Sequence, residues 1–150
     1  MKILGIDPGF AITGFGVIEY SNFKFKVIDY GDISTPSNVP FPKRLQAISD
    51  NLSQIIKTHS PDVMAIEKLF FNKNIKTAID VSHGRGVSIV TAAQHDIPIA
   101  EYTPLQVKQN IIGYGRAEKA QIQQMVKAIL CLSEIRSEER RVGKECRSRW

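Results

Sequence analysis

The chain has 150 residues, a formal net charge of +5 and a hydrophobic fraction of 43%, which together predict one domain with a core of its own. No apolar run approaches the roughly 18 residues of a membrane span, and the apolar start is interrupted at Asp7 before a signal-peptide core can form. The two cysteines, Cys131 and Cys146, exclude a disulfide framework, and the histidines have no zinc-binding spacing. We therefore expect a soluble, cytoplasmic protein without a membrane segment.

The charge is distributed unevenly along the chain. Residues 133–150 contain six basic and four acidic groups and few apolar ones, a composition unlike that of the residues before them. The segment 68–119 contains seven basic and four acidic groups, so it carries the whole net +3 of residues 1–132. A basic middle segment indicates a polyanionic partner such as nucleic acid, although a net +3 is also common in proteins that bind nothing charged.

The first part of the chain predicts three strands. Residues 2–7 form a short apolar run, residues 14–18 form a second one, and Phe25 and Val27 alternate with lysines in a third. The connections are short and contain Asp-Pro-Gly and Ser-Asn, which are turn-forming sequences. These strands are therefore expected to pair as an antiparallel meander.

The following elements alternate between helices and strands. After a proline-rich loop at 36–42, apolar residues at helical spacing within 45–56 predict an amphipathic helix that ends near residue 60. Residues 63–66 are a continuous apolar run, as expected of a central strand buried on both faces. Residues 75–93 predict a helix with little side-chain bulk at its centre, which permits close approach of another backbone.

The last predicted elements are a strand and helical segments. Residues 97–102 read as a strand, Thr103-Pro104 has the form of a capped helix start, and residues 122–130 have the apolar spacing of a final helix. The order βββαβαβα, with three antiparallel strands first and parallel strands after them, predicts an α/β layered domain. The composition changes only at residue 133.

Two carboxylates end buried strands of this predicted sheet. Asp7 ends the first strand and Glu67 ends the fourth, so that on adjacent strands the two lie side by side. Two Mg²⁺ ions about 4 Å apart on oxygen ligands can activate water and stabilise the leaving oxygen in phosphodiester hydrolysis. Taken singly, an Asp before Pro-Gly also caps turns, and a Glu at a strand end is often a solvated edge. The pair on this topology predicts a metal-dependent active site.

Several short motifs follow one another without evident gaps from residue 1 to about Leu132. They are GIDPG at 5–9, TGFGV at 13–17, AIEKLFFNKN at 65–74, GRGV at 84–87, QVKQ at 106–109, and AEK at 117–119 after two glycines. In this order they resemble the RuvC family of bacterial Holliday junction resolvases. The resemblance implies a ribonuclease H-like fold, with a mixed five-stranded sheet flanked by helices, and a homodimer. It also implies crossover junction endodeoxyribonuclease activity in DNA recombination and repair, with Mg²⁺-dependent nicking of four-way junctions and the RuvA and RuvB branch-migration complex as partners.

The resemblance also implies roles for individual residues. Asp7 and Glu67 match the family's first two metal-binding catalytic carboxylates, in a site that holds two Mg²⁺ ions. Phe70 matches the aromatic residue that enters unpaired bases at the junction centre, and is otherwise a core Phe. Lys108 and Lys119 match basic residues near the cleaved phosphate, where they are predicted to be catalytic, and are otherwise solvated helix charges. The predicted DNA-binding residues are Phe70, Lys73, Lys76, Arg85, Lys108, Arg116 and Lys119, and Arg85 with the helix 75–93 also matches the dimer contact region.

The resemblance fails after Leu132. Family members continue into a final helix with an Asp-Ala-Ala-Asp type motif that completes the metal site, and residues 133–150 do not match it. Glu139 falls near the third carboxylate position but has no apolar helix face around it, so it receives no catalytic role. We expect residues 1–132 to be a resolvase domain whose C-terminal helix is missing or replaced. Residues 133–150 are expected to be a non-native or disordered tail, and the chain to nick junctions poorly or not at all.

Two alternatives remain open at this point. The first is a binding module of the same fold, which uses its basic face and Phe70 to recognise junctions without cutting them. The glycines around Asp7 also resemble the phosphate loop of actin-like phosphotransferases, although 150 residues leave no room for their second lobe. Junction binding in Ca²⁺ without cleavage in Mg²⁺ favours the first alternative, and tight ATP binding favours the second.

Overall fold

The structure is a computed structural model that describes residues 1–69, 75–113, 115 and 118–133. The chain divides into two compact units, Met1–Pro104 and Leu105–Trp150. Among the described residues, no helix is both long enough and apolar enough to cross a membrane.

The first unit contains one five-stranded mixed sheet. Its strands are β1 (Lys2–Asp7), β2 (Ile12–Ser21), β3 (Lys24–Ser34), β4 (Val63–Glu67) and β5 (Ile99–Tyr102). They lie in the order β3-β2-β1-β4-β5. The β1-β2 and β2-β3 pairs are antiparallel, whereas β4 is parallel to both β1 and β5. The predicted meander followed by parallel strands is confirmed.

The described residues contain four helices: α1 (Phe41–His59), α2 (Ile75–Gln94), α3 (Pro104–Ile112) and α4 (Lys119–Ile129). The helical region after β5 therefore consists of two helices, one more than the order βββαβαβα counts. The start of α1 lies inside the predicted loop 36–42, because proline is tolerated in the first turn of a helix, where its missing N–H is not needed.

The core of the first unit lies between one face of the sheet and the helices α1 and α2. Its buried residues include Leu4, Ile6, Val17, Ile48, Leu52, Ile56, Met64, Ile66 and Ala92. Successive side chains of a strand point to opposite faces. Asp7 and Glu67 directly follow the buried Ile6 and Ile66, so they point away from this core.

Small residues bring α2 close to the rest of the unit. A Cβ atom at Gly84 would overlap the backbone carbonyl oxygen of Gly9. On the same helix Ser88 is fully buried, and the hydroxyl of Thr91 lies 2.9 Å from that of Ser49 on α1. The predicted close approach of another backbone to this helix is thus observed at Gly84, against the loop that follows β1.

Candidate functional site

The parallel pairing of β1 and β4 places Asp7 beside Glu67. Ile6 pairs with Ile66 in register, and the two acids are the next residue of each strand. Neighbouring strands lie about 4.8 Å apart. Both acidic side chains therefore leave the carboxyl ends of adjacent strands on the same face of the sheet. Asp7 is exposed to solvent and Glu67 is partly buried.

The carboxylates belong to a row of four residues across the sheet. Asp7 pairs with Gly14 of β2, and Glu67 pairs with Tyr102 of β5. Tyr102 is 39% exposed. Nothing in the sequence singled out Tyr102 as a site residue. The sequence did contain one signal for it: Tyr102 is the last residue of β5, as Glu67 is the last residue of β4.

Glycines beside Asp7 leave the surface there without side chains. Gly5 of β1 pairs with Gly16 of β2, and a Cβ atom added at Gly16 would meet no atom within 4 Å. A Cβ at Gly14 would lie in ordinary contact with the Cβ of Asp7, at 3.5 Å. The face that carries the two acids therefore has partly exposed backbone next to Asp7, which leaves room for a bulky substrate to approach.

The turn after Asp7 is held by several hydrogen bonds. The hydroxyl of the buried Thr13 donates to the carbonyl oxygen of Gly9 at 2.8 Å, and the hydroxyl of Thr35 donates to that of Phe10. The guanidinium of Arg44 lies 3.9 Å from the centroid of the Phe10 ring, and its Nε donates to the hydroxyl of Thr35 at 3.1 Å. This turn gives Asp7 a fixed backbone position.

Arg85 connects α2 to the end of β4. Its Nε donates to the backbone carbonyl oxygen of Glu67 at 3.1 Å, and its Nη2 forms an ion pair with the carboxylate of Glu101 on β5. The side chain of Arg85 is only 19% exposed. The predicted roles of Arg85 in DNA binding and in the dimer contact stay predictions. Its contact with Glu67 was not foreseen, because it depends on how α2 packs against the sheet.

The donor set of the two acids fits a hard cation. Carboxylate oxygens are the ligands that Mg²⁺ prefers, and this ion is commonly held by one or two carboxylates while water and substrate phosphate complete its coordination. Among the described residues, no group of three or more His, Cys, Asp or Glu could hold a metal ion. The carboxylates of Asp7 and Glu67 are thus suited to a hard divalent cation.

The second unit contains the two predicted catalytic lysines. Lys108 lies in α3 and is partly buried, and Lys119 is the first residue of α4 and is exposed. Between the helices, Gly113 has a left-handed φ of 89° that favours glycine. Glu118 and Gln121 form a capping box at the start of α4, in which the backbone N–H of Glu118 donates to the side chain of Gln121 at 3.0 Å.

Several predicted residues lie outside the described part of the chain. They are Phe70, Lys73, Arg116 and the whole segment 134–150, including Glu139. Lys76 is in the first turn of α2 by its backbone, but its side chain is likewise outside what is described.

The sheet order and the paired carboxylates define a protein of the ribonuclease H-like fold, as the resemblance implied. The model of the family described as Crossover junction endodeoxyribonuclease RuvC matches residues 3–140. The chain belongs to this family, which confirms both the resemblance and the predicted enzyme class. The match extends beyond Leu132, and the predicted boundary between the resolvase domain and a tail at that residue stays a prediction.

Curated relatives and solved structures agree with this assignment. The chain is 57% identical over 135 residues to the Crossover junction endodeoxyribonuclease RuvC of Alkaliphilus oremlandii. The matched residues cover 90% of this chain and 82% of that protein. It is 58% identical to the protein of the same name from Ruminiclostridium cellulolyticum, with 90% and 81% covered.

Among solved structures, RuvC of T. thermophilus in complex with Holliday junction substrate matches with a TM-score of 0.86 and 30% identity, over 91% of this chain and 84% of that one. A yeast mitochondrial Holliday junction resolvase, 14% identical with a TM-score of 0.60 over 86% of this chain and 62% of that one, shows the fold alone.

Proposed function

We propose that this chain is a cytoplasmic, homodimeric endonuclease that recognises four-way DNA junctions and hydrolyses their phosphodiester bonds with Mg²⁺ held by Asp7 and Glu67. The main support for this proposal is the pairing of Ile6 with Ile66, which brings the two carboxylates together on the face opposite the core. The similar T. thermophilus protein has been solved with a Holliday junction substrate, which supports the same kind of substrate for this chain.

The chain's own residues have separable tasks at this site. Asp7 and Glu67 hold the cation, which when bound supplies Lewis-acid stabilisation of the phosphodiester and an activated water. Gly14 and Gly16 leave space beside Asp7 for the DNA backbone. Lys108 and Lys119 are proposed to neutralise the scissile phosphate.

The remaining predicted residues provide DNA recognition in this proposal. Phe70 stacks on an unpaired base, a contact worth about 1 to 3 kcal/mol. Lys73, Lys76 and Arg116 contact phosphates, which positions DNA without reading its sequence. The RuvA and RuvB branch-migration complex is the proposed protein partner in recombination and repair.

The outer face of α2 is the proposed dimer contact. Ile79, His83 and Val90 are separated by four and seven residues, so they lie on one face of the helix. Ile79 is 52% exposed and Val90 is 55% exposed. Exposed apolar side chains aligned on one helix support association with a second copy of the chain, in the region where the family resemblance implies the dimer contact.

Nicking and binding assays on a synthetic four-way junction test this function. The wild-type chain and the variant Asp7→Asn are compared in Mg²⁺ for nicking, and in Ca²⁺ for gel-shift binding, with a linear duplex of the same sequence as control. We expect both proteins to prefer the junction and only the wild type to nick it, at a rate below that of the Alkaliphilus oremlandii protein. Nicking by Asp7→Asn at the wild-type rate contradicts the assigned carboxylate, and equal affinity for duplex and junction contradicts the substrate.

A junction-binding module without cleavage is the second candidate. It is favoured by the sequence of residues 133–150, which does not match the Asp-Ala-Ala-Asp type motif that completes the family's metal site, because fewer carboxylates hold a second Mg²⁺ ion weakly. Junction binding in Ca²⁺ with no nicking in Mg²⁺ identifies this module. Nicking as fast as that of the Alkaliphilus oremlandii protein rules it out, together with the expectation of poor activity.

A further inference from the structure

We infer that Arg85 is a positioning residue for the metal site, which it serves by fixing the peptide group that follows Glu67. The inference rests on the proposed function, since it concerns a cation held by Asp7 and Glu67. It assigns to Arg85 a task different from the DNA binding that the sequence predicted.

The peptide between Glu67 and Lys68 is held on both sides. Its N–H, from Lys68, donates to the carbonyl oxygen of Tyr102 at 2.8 Å. Its carbonyl oxygen, from Glu67, accepts from Nε of Arg85 at 3.1 Å. On the neighbouring strand β1, the residue after Asp7 is Pro8, which has no N–H to donate. Arg85 therefore supplies a donor at the point where that neighbour has none.

The guanidinium is itself held in place. Glu101 pairs with Nη2 of Arg85, so a single planar group joins α2 to β4 and to β5. The preceding residue, Gly84, packs against the backbone of Gly9 in the turn that follows Asp7. Two successive residues of α2 thus contact the backbone at the carboxyl ends of β1 and β4, where the two acids are located.

This arrangement determines which groups of the site Arg85 can affect. The Glu67 side chain shares its Cα with the peptide that Arg85 holds, so rotation of that peptide turns the carboxylate away from its place beside Asp7. Loss of a residue that orients a metal ligand commonly lowers metal affinity or activity by about 10- to 100-fold. A phosphate contact would instead lower affinity for DNA and leave the metal site unchanged.

The test measures metal binding and DNA binding separately on the 150-residue chain. Mn²⁺ affinity is measured from the free-ion signal in electron paramagnetic resonance, and junction affinity from gel shifts in Ca²⁺. The variants are Arg85→Gln, Arg85→Lys and the control Glu101→Gln, which keeps Arg85 and its donor to Glu67. Arg85→Lys keeps the positive charge but loses the planar fork that serves two acceptors at once.

We expect Arg85→Gln and Arg85→Lys to weaken Mn²⁺ binding by about tenfold, with junction affinity unchanged, and Glu101→Gln to have a smaller effect on Mn²⁺. Wild-type Mn²⁺ affinity in Arg85→Gln overturns the inference. Loss of junction affinity in Arg85→Gln that Arg85→Lys restores also overturns it, because charge alone would then suffice.

Two further outcomes separate this inference from its premises. If the wild type binds Mn²⁺ no better than Asp7→Asn does, the proposed metal site itself is wrong, and the inference falls with it. If Arg85→Gln fails to fold, Arg85→Lys and Glu101→Gln carry the test. Normal Mn²⁺ affinity in the folded fraction of Arg85→Lys then shows a merely structural role and overturns the inference.

Discussion

The substitution Gly84→Ala tests the packing of α2 against the turn that carries Asp7. The added methyl carbon would overlap the carbonyl oxygen of Gly9, and it would lie 3.2 Å from the carbonyl carbon of Gly9 and 3.6 Å from the Cα of Phe10. All three atoms belong to the backbone, so no flexible side chain can move aside. The helix or the turn must shift.

The matched control is Gly86→Ala, two residues further along the same helix. A Cβ atom there would meet no atom within 4 Å. Alanine stabilises a helix over glycine by roughly 0.5 to 1 kcal/mol, and this gain is common to both variants. Overpacking costs about 1 to 3 kcal/mol. The difference between the two variants therefore isolates the overpacking cost, and we expect Gly86→Ala to be the more stable by about 1 to 3 kcal/mol.

Thermal and urea unfolding followed by circular dichroism measure this difference. Each kcal/mol corresponds to about 4 °C in Tm for a domain of this size. Because Gly86 lies on the same exposed face of α2 as Ile79 and Val90, sedimentation must first show that both variants have the wild-type mass at the concentration used. Equal stability of the two variants would refute the close packing of Gly84 against Gly9.

Three further substitutions test other parts of the structure. Ile66→Ala, at a residue 2% exposed, is expected to lower the free energy of unfolding by about 2 to 5 kcal/mol in urea, and a loss below that range contradicts its place in the core. Phe23→Gly is expected to raise Tm. Phe23 is 94% exposed and has a left-handed φ of 60°, a backbone conformation that costs about 1 kcal/mol for a residue with a Cβ atom. An unchanged Tm argues against strain in this turn. Ile79→Glu and Val90→Glu are expected to give monomers in sedimentation while leaving Tm within a few degrees, and dimers of wild-type affinity would remove α2 from the proposed contact.

The sequence predicted the elements whose signals are local. The strand at residues 2–7 and the strand ending at Glu67 were found at nearly their observed bounds, because apolar runs between turn residues mark both ends. By contrast, β3 extends to Ser34, far past the predicted Phe25 and Val27. Only one residue of this edge strand, Ile33, is buried, so most of its length has no hydrophobic pattern to detect.

The pairing of the carboxylates was predictable for a related reason. A carboxylate at the end of each of two buried strands, together with a layered α/β order, limits the arrangements in which both strands are central. The neighbours Gly14 and Tyr102 depend on which residues face each other across the ladder. That register is set by the whole sheet, and neither residue has a chemical signature of its own.

The helix α2 shows why the remainder of the site required the structure. Its small residues indicated close packing, but the sequence did not say which backbone approaches, and Arg85 was predicted to bind DNA and to lie in the dimer contact region. In the folded chain Gly84 contacts the turn after Asp7, and Arg85 donates to the carbonyl oxygen of Glu67. The same helix turns Ile79 and Val90 outward, where a second copy is proposed to bind. In this proposal α2 connects the dimer contact to both carboxylates. Its inner face contacts the backbone at the ends of β1 and β4, and its outer face binds the second copy.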